Sequence, residues 1–383
     1  MTATTRGAEG GGAGGPLKVM AVVGARPNMM KAAPLMQELS RYPDVETVLV
    51  HTGQHYDERM SEAFFRDLGL PAPDHYLGVG SGTHAAQTAH VMLALEPIMT
   101  AERPEVLVVV GDVNSTLAAA LVAAKLGIRI AHVEAGLRSY DRGMPEEINR
   151  VLTDAISDLL FTTERDAEEN LRREGVPPER IHFVGNVMID TLLRELARAR
   201  ALGMPARMGV RPRGYAVLTL HRPSNVDDPV VLEQLLEAVA AVQSRVPVLF
   251  PVHPRTRQRL AQGSLGERLA AMPGLRLLEP LGYLEFLGLL ADARLVLTDS
   301  GGIQEETTIL DVPCLTLREN TERPVTVTEG TNEVVGTNAD RITAAALRIL
   351  DGGGKAGARP ELWDGRAAER IVAVLRSVGK AGS

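Results

Sequence analysis

Short aliphatic and β-branched runs alternate along the chain with longer stretches whose apolar residues recur at helical spacing. Leu17–Val23 reads as a strand, Gly24–Asn28 as a loop, Met29–Arg41 as a helix and Glu46–His51 as the next strand. Val106–Val110 is an unbroken apolar run, the pattern of a strand buried on both faces. A turn at Gly111–Ser115 leads from it into a predicted helix, Thr116–Leu126, and Arg129–Val133, Leu159–Thr162 and Ile181–Val184 continue the strands. The pattern then starts again. Tyr215–Thr219, Val246–Phe250, Leu275–Leu278, Leu295–Thr298 and Cys314–Leu317 are predicted strands, separated by helices at Pro229–Val242, Thr256–Leu260, Tyr283–Ala291 and Ile303–Leu310.

Repeated strand–helix units make a parallel sheet with helices on both faces. Two such sets predict an α/β chain of two Rossmann-like, doubly wound domains facing a cleft, over 17–188 and 189–363. The joint is expected near the helix Val187–Arg200 or in the stretch 203–214. Residues 1–16 read as a disordered Gly-rich tail, and a last helix at 364–380 is expected to cross back to the first domain.

Ligands of open parallel sheets bind beyond the carboxyl ends of the strands. The residues after each run are therefore the candidates. Arg26 and Lys31 follow the first run, where two cations beside the free N–H groups of a helix start suit an anion. A cation in a first turn opposes the helix dipole, so Lys31 needs a reason to be there. Gln54 and His55 follow the second run, where turn chemistry explains much of the polarity. Asp112 stands directly after the buried run, although it and Ser115 also suit a helix cap. Glu134 and Arg138 follow Arg129–Val133. Pro145 suits a first helical position, and Glu146 and Glu147 behind it would complement the dipole, so position alone does not separate a site role from a structural one. His221 and Arg222 follow the first strand of the second set. In Asp299-Ser300-Gly301-Gly302, two glycines let the backbone approach a ligand, and the helix start presents N–H groups to a phosphate. Glu306, one turn in, would accept from a diol. A diphosphate bearing a polar group fits such a cleft.

Composition removes other classes. The net charge is −7 with no basic stripe, which argues against a nucleic-acid partner. No apolar run approaches the roughly 18 residues of a membrane span, and the first residues lack the apolar core of a secretory signal. The one cysteine, Cys314, lies in an apolar context and reads as a core residue of a cytoplasmic protein. The sequence has no Cys/His cluster, no H-E-x-x-H and no G-x-x-x-x-G-K, so neither a metal nor another cofactor is expected.

The stretches G-A-R-P-N-M-M-K (24–31), T-G-Q-H (52–55), G-D-V-N-S-T (111–116), H-V-E-A-G-L-R-S (132–139), P-E-E-I-N-R (145–150), V-G-N (184–186), H-R-P-S-N (221–225), D-S-G-G-I-Q-E-E (299–306) and T-E-R-P (321–324) are each short. In this order and spacing the chain resembles the non-hydrolysing UDP-N-acetylglucosamine 2-epimerases, from about Leu17 to the last helix. The resemblance implies a glycosyltransferase-B-like fold closing on a UDP-sugar. It implies epimerisation at C2 to UDP-N-acetylmannosamine, by elimination of UDP to 2-acetamidoglucal and re-addition. Carried over by motif, Asp112, Glu134, Glu146 and His221 are the chemical residues, with the carboxylates moving protons and His221 assisting UDP departure. Arg26, Ser300, Gly301 and Gly302 would hold the diphosphate, Glu306 the ribose and Phe286 the uracil, with Lys31 and Arg323 in support. Gln54, His55, Arg138 and Arg222 would serve a second site or support the first, and a homodimer is implied.

Two departures bear on specificity. Many family members have His-Arg-Arg-Glu-Asn where this chain has His221-Arg222-Pro223-Ser224-Asn225, beside the leaving group. Asp57 replaces the second glutamine of a pair used by members that bind a second UDP-sugar as activator. The alternatives are an epimerase of a modified UDP-N-acyl sugar, a hydrolysing 2-epimerase, a glycosyltransferase of the same fold, and a non-catalytic sensor.

Overall fold

Val106–Val110 is buried at every position and forms the central strand of a seven-stranded parallel sheet. Its alternate residues face two different cores. Val106, Val108 and Val110 pack with Leu35 and Leu39, whereas Leu107 and Val109 pack with Leu95 and Ala119 on the other side. This is why the run carries no polar alternation.

The computed structural model describes residues 15–54, 67–261 and 265–381. Its first sheet comprises β1 (Leu17–Val23), β2 (Val45–His51), β3 (His75–Tyr76), β4 (Val106–Val110), β5 (Arg129–Ala135), β6 (Leu159–Thr162) and β7 (Ile181–Phe183), in the order β3-β2-β1-β4-β5-β6-β7. Helices α1 (Arg26–Leu39), α2 (His84–Glu102), α3 (Asn114–Leu126), α4 (Pro145–Ile156) and α5 (Arg165–Arg173) accompany it. Helix α6 (Val187–Ala201) then leads onward, packed against α1.

The second sheet comprises β8 (Ala216–Thr219), β9 (Val248–Pro251), β10 (Leu275–Leu278), β11 (Leu295–Thr298), β12 (Cys314–Thr316) and β13 (Asn332–Val334), in the order β10-β9-β8-β11-β12-β13. Its larger helices are α7 (Pro229–Gln243), α8 (Tyr283–Leu290), α9 (Gly301–Leu310) and α11 (Ala339–Leu350), with the short α10 (Pro324–Thr328) between the last two. Both sheets are parallel and doubly wound, as the sequence predicts, and Cys314 is buried in β12. Each reverses its strand order once, between β1 and β4 and between β8 and β11.

Several helices start earlier than the apolar pattern predicts. Helix α1 begins at Arg26 rather than Met29 because the Asn28 side chain accepts from the Gly24 and Ala25 N–H groups, at 3.2 and 3.0 Å, and closes a first turn without apolar residues. Helix α9 likewise starts at Gly301 rather than Ile303.

Helix α12 (Ala367–Ala381) returns to the first sheet. Its Ala368, Ile371, Val372 and Leu375 join the core made by Leu17, Val19, Leu35 and Leu39. The buried Asp190 carboxylate on α6 accepts from the Ala367 and Ala368 N–H groups, at 3.1 and 2.7 Å, and fixes the start of this helix. The two chain crossings touch one another. Gly185, at φ 85°, lies against the Leu362 carbonyl, and a Cβ there would fall 2.1 Å from its oxygen. Trp363, fully buried, donates from Nε1 to the Thr163 carbonyl at 2.9 Å.

Candidate functional site

Where a parallel sheet reverses its strand order, the loops beyond its strands diverge and leave a crevice. The two reversals supply the loops after β1 and β4 from one domain and those after β8 and β11 from the other. A cavity of about 820 Å³ is lined by Asp112, Glu146 and Asn149 on one side and by Arg222, Ser224 and Arg318 on the other.

Asp112 follows Gly111, which ends β4 at φ 68°. Arg150, on the second turn of α4, donates to Asp112 Oδ2 at 2.5 Å, and Asn149 Nδ2 holds the Asp112 carbonyl at 2.9 Å. The carboxyl is 28% exposed. Burial pushes its pKa up, but Arg150, Lys31 and Arg323 outweigh that and hold it below the usual carboxylate range. Asp112 is therefore ionised and partly open to the cleft, which suits a base.

Glu134 has φ 72°, a left-handed backbone rare for a non-glycine residue, at a register shift between β5 and β6. The shift takes its side chain out of the pleat alternation. The buried carboxylate pairs with Lys31 and lies 3.4 Å from Arg323 Nη2. Arg323, also buried, donates from Nε to Glu305 and from Nη1 to Glu322, each at 2.6 Å, so one guanidinium gathers three carboxylates from both domains. Glu322 also accepts from Arg318 at 2.9 Å. Burial pushes the Glu322 carboxyl up, yet Arg323, Arg318 and Arg150 hold it far below the usual range. Glu305, equally buried, stays above it.

Glu146 sits in the first turn of α4 and faces Arg222 across the cleft, with Nη1 3.5 Å from Oε1. His221 follows β8 and places Nδ1 2.8 Å from Asp299 Oδ1. Asp299 follows β11 in full burial and also accepts from the backbone N–H groups of His221 and Arg222, both at 2.9 Å. Burial raises its carboxyl, but His221 and these donors keep it below the usual range. With Nδ1 committed to Asp299, the ring, 40% exposed, has Nε2 left for a ligand.

Ser300 precedes α9 with extended backbone, and Gly301 and Gly302 form its first turn. A Cβ on Gly301 would fall 2.6 Å from both Arg323 Nη1 and Glu322 Oε1, so any side chain there must displace that buried ion pair. At Gly302 the nearest protein atom to such a Cβ is Met188 Cε at 3.4 Å, so packing within the chain does not explain that glycine. Glu306 is buried beneath this turn, and burial, with Glu305 adding to it, pushes its carboxyl up to about 8. The sign follows from linkage. Below its ordinary value of 4.5 both folded and unfolded chains hold the proton; from there to about 8 the unfolded chain ionises first and folding weakens as pH rises. Glu306→Gln is therefore expected to melt close to wild type at pH 5 and above it at pH 8.5. Thermal melts across that range check this, and a constant difference would remove the buried acid from the account.

The remaining candidates are placed as follows. Lys31, on α1, reaches Glu134 beneath the cleft. Arg26 opens α1, and only its backbone is described. Gln54 is buried and accepts from Ser115 Oγ at 2.7 Å, which ties its loop to the start of α3. Arg138 is committed to Glu174, at 2.8 and 2.6 Å, and to Asp154, at 2.8 Å, below its own loop. Phe286 on α8 packs against the core that α8 shares with α6. His55 and Asp57 lie outside the described residues. Sequence reasoning quotes Asp299, Arg150, Glu305 and Glu322 within motifs but gives none of them a role. Asp299 had the same signal as Asp112, a carboxylate at a strand's end, while Arg150 lies one helical turn from Glu146. Among the described residues no group of three or more His, Cys, Asp or Glu is arranged to hold a metal ion, and no helix is long and apolar enough to cross a membrane.

A family model described as UDP-N-acetylglucosamine 2-epimerase matches residues 37–376. The UDP-N-acetylglucosamine 2-epimerase of Methanocaldococcus jannaschii is 43% identical over 364 residues, covering 94% of this chain and 99% of that one. Its crystal structure in complex with UDP-GlcNAc and UDP superposes with a TM-score of 0.88 over the same shares of the two chains. The UDP-2,3-diacetamido-2,3-dideoxy-D-glucuronate 2-epimerase of Pseudomonas aeruginosa is 42% identical over 357 residues, covering 90% of this chain and 98% of that protein. The two-domain architecture is accordingly glycosyltransferase-B-like.

Proposed function

The chain belongs to the UDP-N-acetylglucosamine 2-epimerase family, and from that premise we propose that it interconverts UDP-N-acetylglucosamine and UDP-N-acetylmannosamine by losing and regaining UDP. The observation that carries this reading is an ionised, partly open Asp112 lining the cleft that Arg222 lines from the other domain, with the Asp299-held His221 next to Arg222 in the chain. The C2 proton is only weakly acidic, so departure of the diphosphate must do much of the work. A carboxylate takes that proton, the C1–O bond breaks with its electron pair leaving on UDP, and 2-acetamidoglucal remains. UDP re-adds at C1 as a proton arrives at C2 from the opposite face.

Proton transfer on two faces needs more than one acid–base group. Asp112, Glu134 and Glu146 supply the carboxylates, and His221 assists departure of the diphosphate. Arg26, Ser300, Gly301 and Gly302 hold the diphosphate, where N–H groups of α9 stabilise the developing charge. Glu306 accepts from the ribose, Phe286 packs by the uracil, and Lys31 and Arg323 keep Glu134 in place. Gln54, Arg138 and Arg222 brace the loops around this centre. The enzyme acts in the cytoplasm as a homodimer, on a UDP-sugar, without a metal or other cofactor.

The test is incubation with UDP-N-acetylglucosamine in D2O, followed by NMR. Deuterium at C2 with formation of UDP-N-acetylmannosamine is the expected result. Free N-acetylmannosamine would indicate a hydrolysing enzyme instead. The high identity to the diacetamido-glucuronate epimerase, together with Pro223 and Ser224 beside the cleft, supports a second reading in which the sugar is a modified UDP-N-acyl sugar. Turnover of that relative's substrate alone would decide for it.

A further inference from the structure

His132 is fully buried on β5, two residues before Glu134, and the proposed chemistry gives it no part. Its Nε2 lies 2.8 Å from the Gly111 carbonyl oxygen and its Nδ1 2.6 Å from Asp154 Oδ1. A carbonyl can only accept, so Nε2 donates to Gly111. Asp154 belongs to α4 and is buried too. Its second oxygen accepts from the Gly136 N–H at 3.0 Å and from Arg138 Nη1 at 2.8 Å. Burial pushes this carboxyl up, but His132, Arg138 and Gly136 hold it below the usual range, so it is an acceptor as well.

The pair thus touches the carrier of each candidate carboxylate. Gly111 directly precedes Asp112, Gly136 lies two residues beyond Glu134, and α4 carries Glu146. The Gly111 position is tight: a Cβ there would fall 3.2 Å from both Glu134 Oε2 and Lys31 Nζ. A small rotation of this peptide therefore changes the placement of Asp112 relative to Glu134. We propose that His132 is a positioning residue, whose imidazole, bonded to both Gly111 and Asp154, sets the mutual placement of Asp112, Glu134 and Glu146. It touches no reacting atom, and its part in turnover rests on the epimerisation proposed above.

The two ring nitrogens can be tested separately. In His132→Asn the amide nitrogen takes roughly the place of Nδ1, keeping the bond to Asp154 and losing that to Gly111. In His132→Gln it reaches roughly the place of Nε2 and keeps the bond to Gly111. The expected result is a kcat lowered by about 30- to 100-fold in the Asn variant, with KM and UDP affinity within about twofold of wild type. The Gln variant should recover to within about fivefold. Amide hydrogen exchange over 111–116 should quicken in the Asn variant and stay near wild type in the Gln variant. Equal kcat in the two variants, with exchange over 111–116 unchanged, overturns the proposal, as does failure of both to fold, which would make the pair a core contact only. A wild-type enzyme that converts neither UDP-sugar overturns the functional reading instead, and the exchange data then decide alone whether His132 holds the Asp112 loop.

Discussion

Asp112→Asn is expected to lower turnover of the UDP-sugar by about a thousandfold, while UDP affinity stays within about threefold of wild type. The substitution keeps the shape of the side chain and an oxygen for Arg150, which donates at 2.5 Å. What it removes is a group able to take a proton. Arg150, Lys31 and Arg323 are there to keep that group ionised, and they remain. The loop after β11, proposed to hold the diphosphate, is untouched. Turnover by NMR and UDP binding by calorimetry give the two numbers. Turnover within tenfold of wild type would take Asp112 out of the proton transfer and leave Glu134 and Glu146 to share it.

Arg323→Ala should have the largest effect on stability. The guanidinium is buried and meets Glu305 and Glu322 at 2.6 Å and Glu134 at 3.4 Å. Its loss takes the ion-pair partner from Glu305 and one of two from Glu322, which keeps Arg318, and from Glu134, which keeps Lys31, and breaking one buried pair typically costs about 3–5 kcal/mol. For domains of this size that corresponds to a fall in Tm of roughly ten degrees. Arg323→Lys should rescue little, because an ammonium cannot present the planar fork that reaches all three acids. Calorimetry measures both variants. A fall of less than about three degrees in the Ala variant would mean that water or protons replace the guanidinium with ease.

The sheets were legible because a strand buried on both faces leaves an uninterrupted apolar run, as at Val106–Val110. Helix starts were less so. Their first turns here are built from Gly, Asn and Pro, stabilised by side chains such as Asn28 rather than by apolar burial. Strands β3 and β13 span only two and three residues, too short for any period. The rule that ligands gather at strand ends pointed to Asp112, Glu134 and His221. It says nothing of what lies beneath them. Arg150 looks like a charge on a helix face, and Glu305 and Glu322 look like surface acids. Their burial depends on Arg323, which meets Glu134 from 189 residues away in the sequence. Such couplings exist only once the two domains are folded against each other.

The return of α12 to the first sheet has a consequence for how the protein is made. Its Ile371, Val372 and Leu375 cover the same core as Leu17 and Val19. During synthesis the first strand leaves the ribosome some 350 residues before the helix that seals it. Domains usually fold as they emerge, the N-terminal one first. Here the first domain must wait, with one apolar face uncovered, until the second has been translated, so the second can reach its native state first.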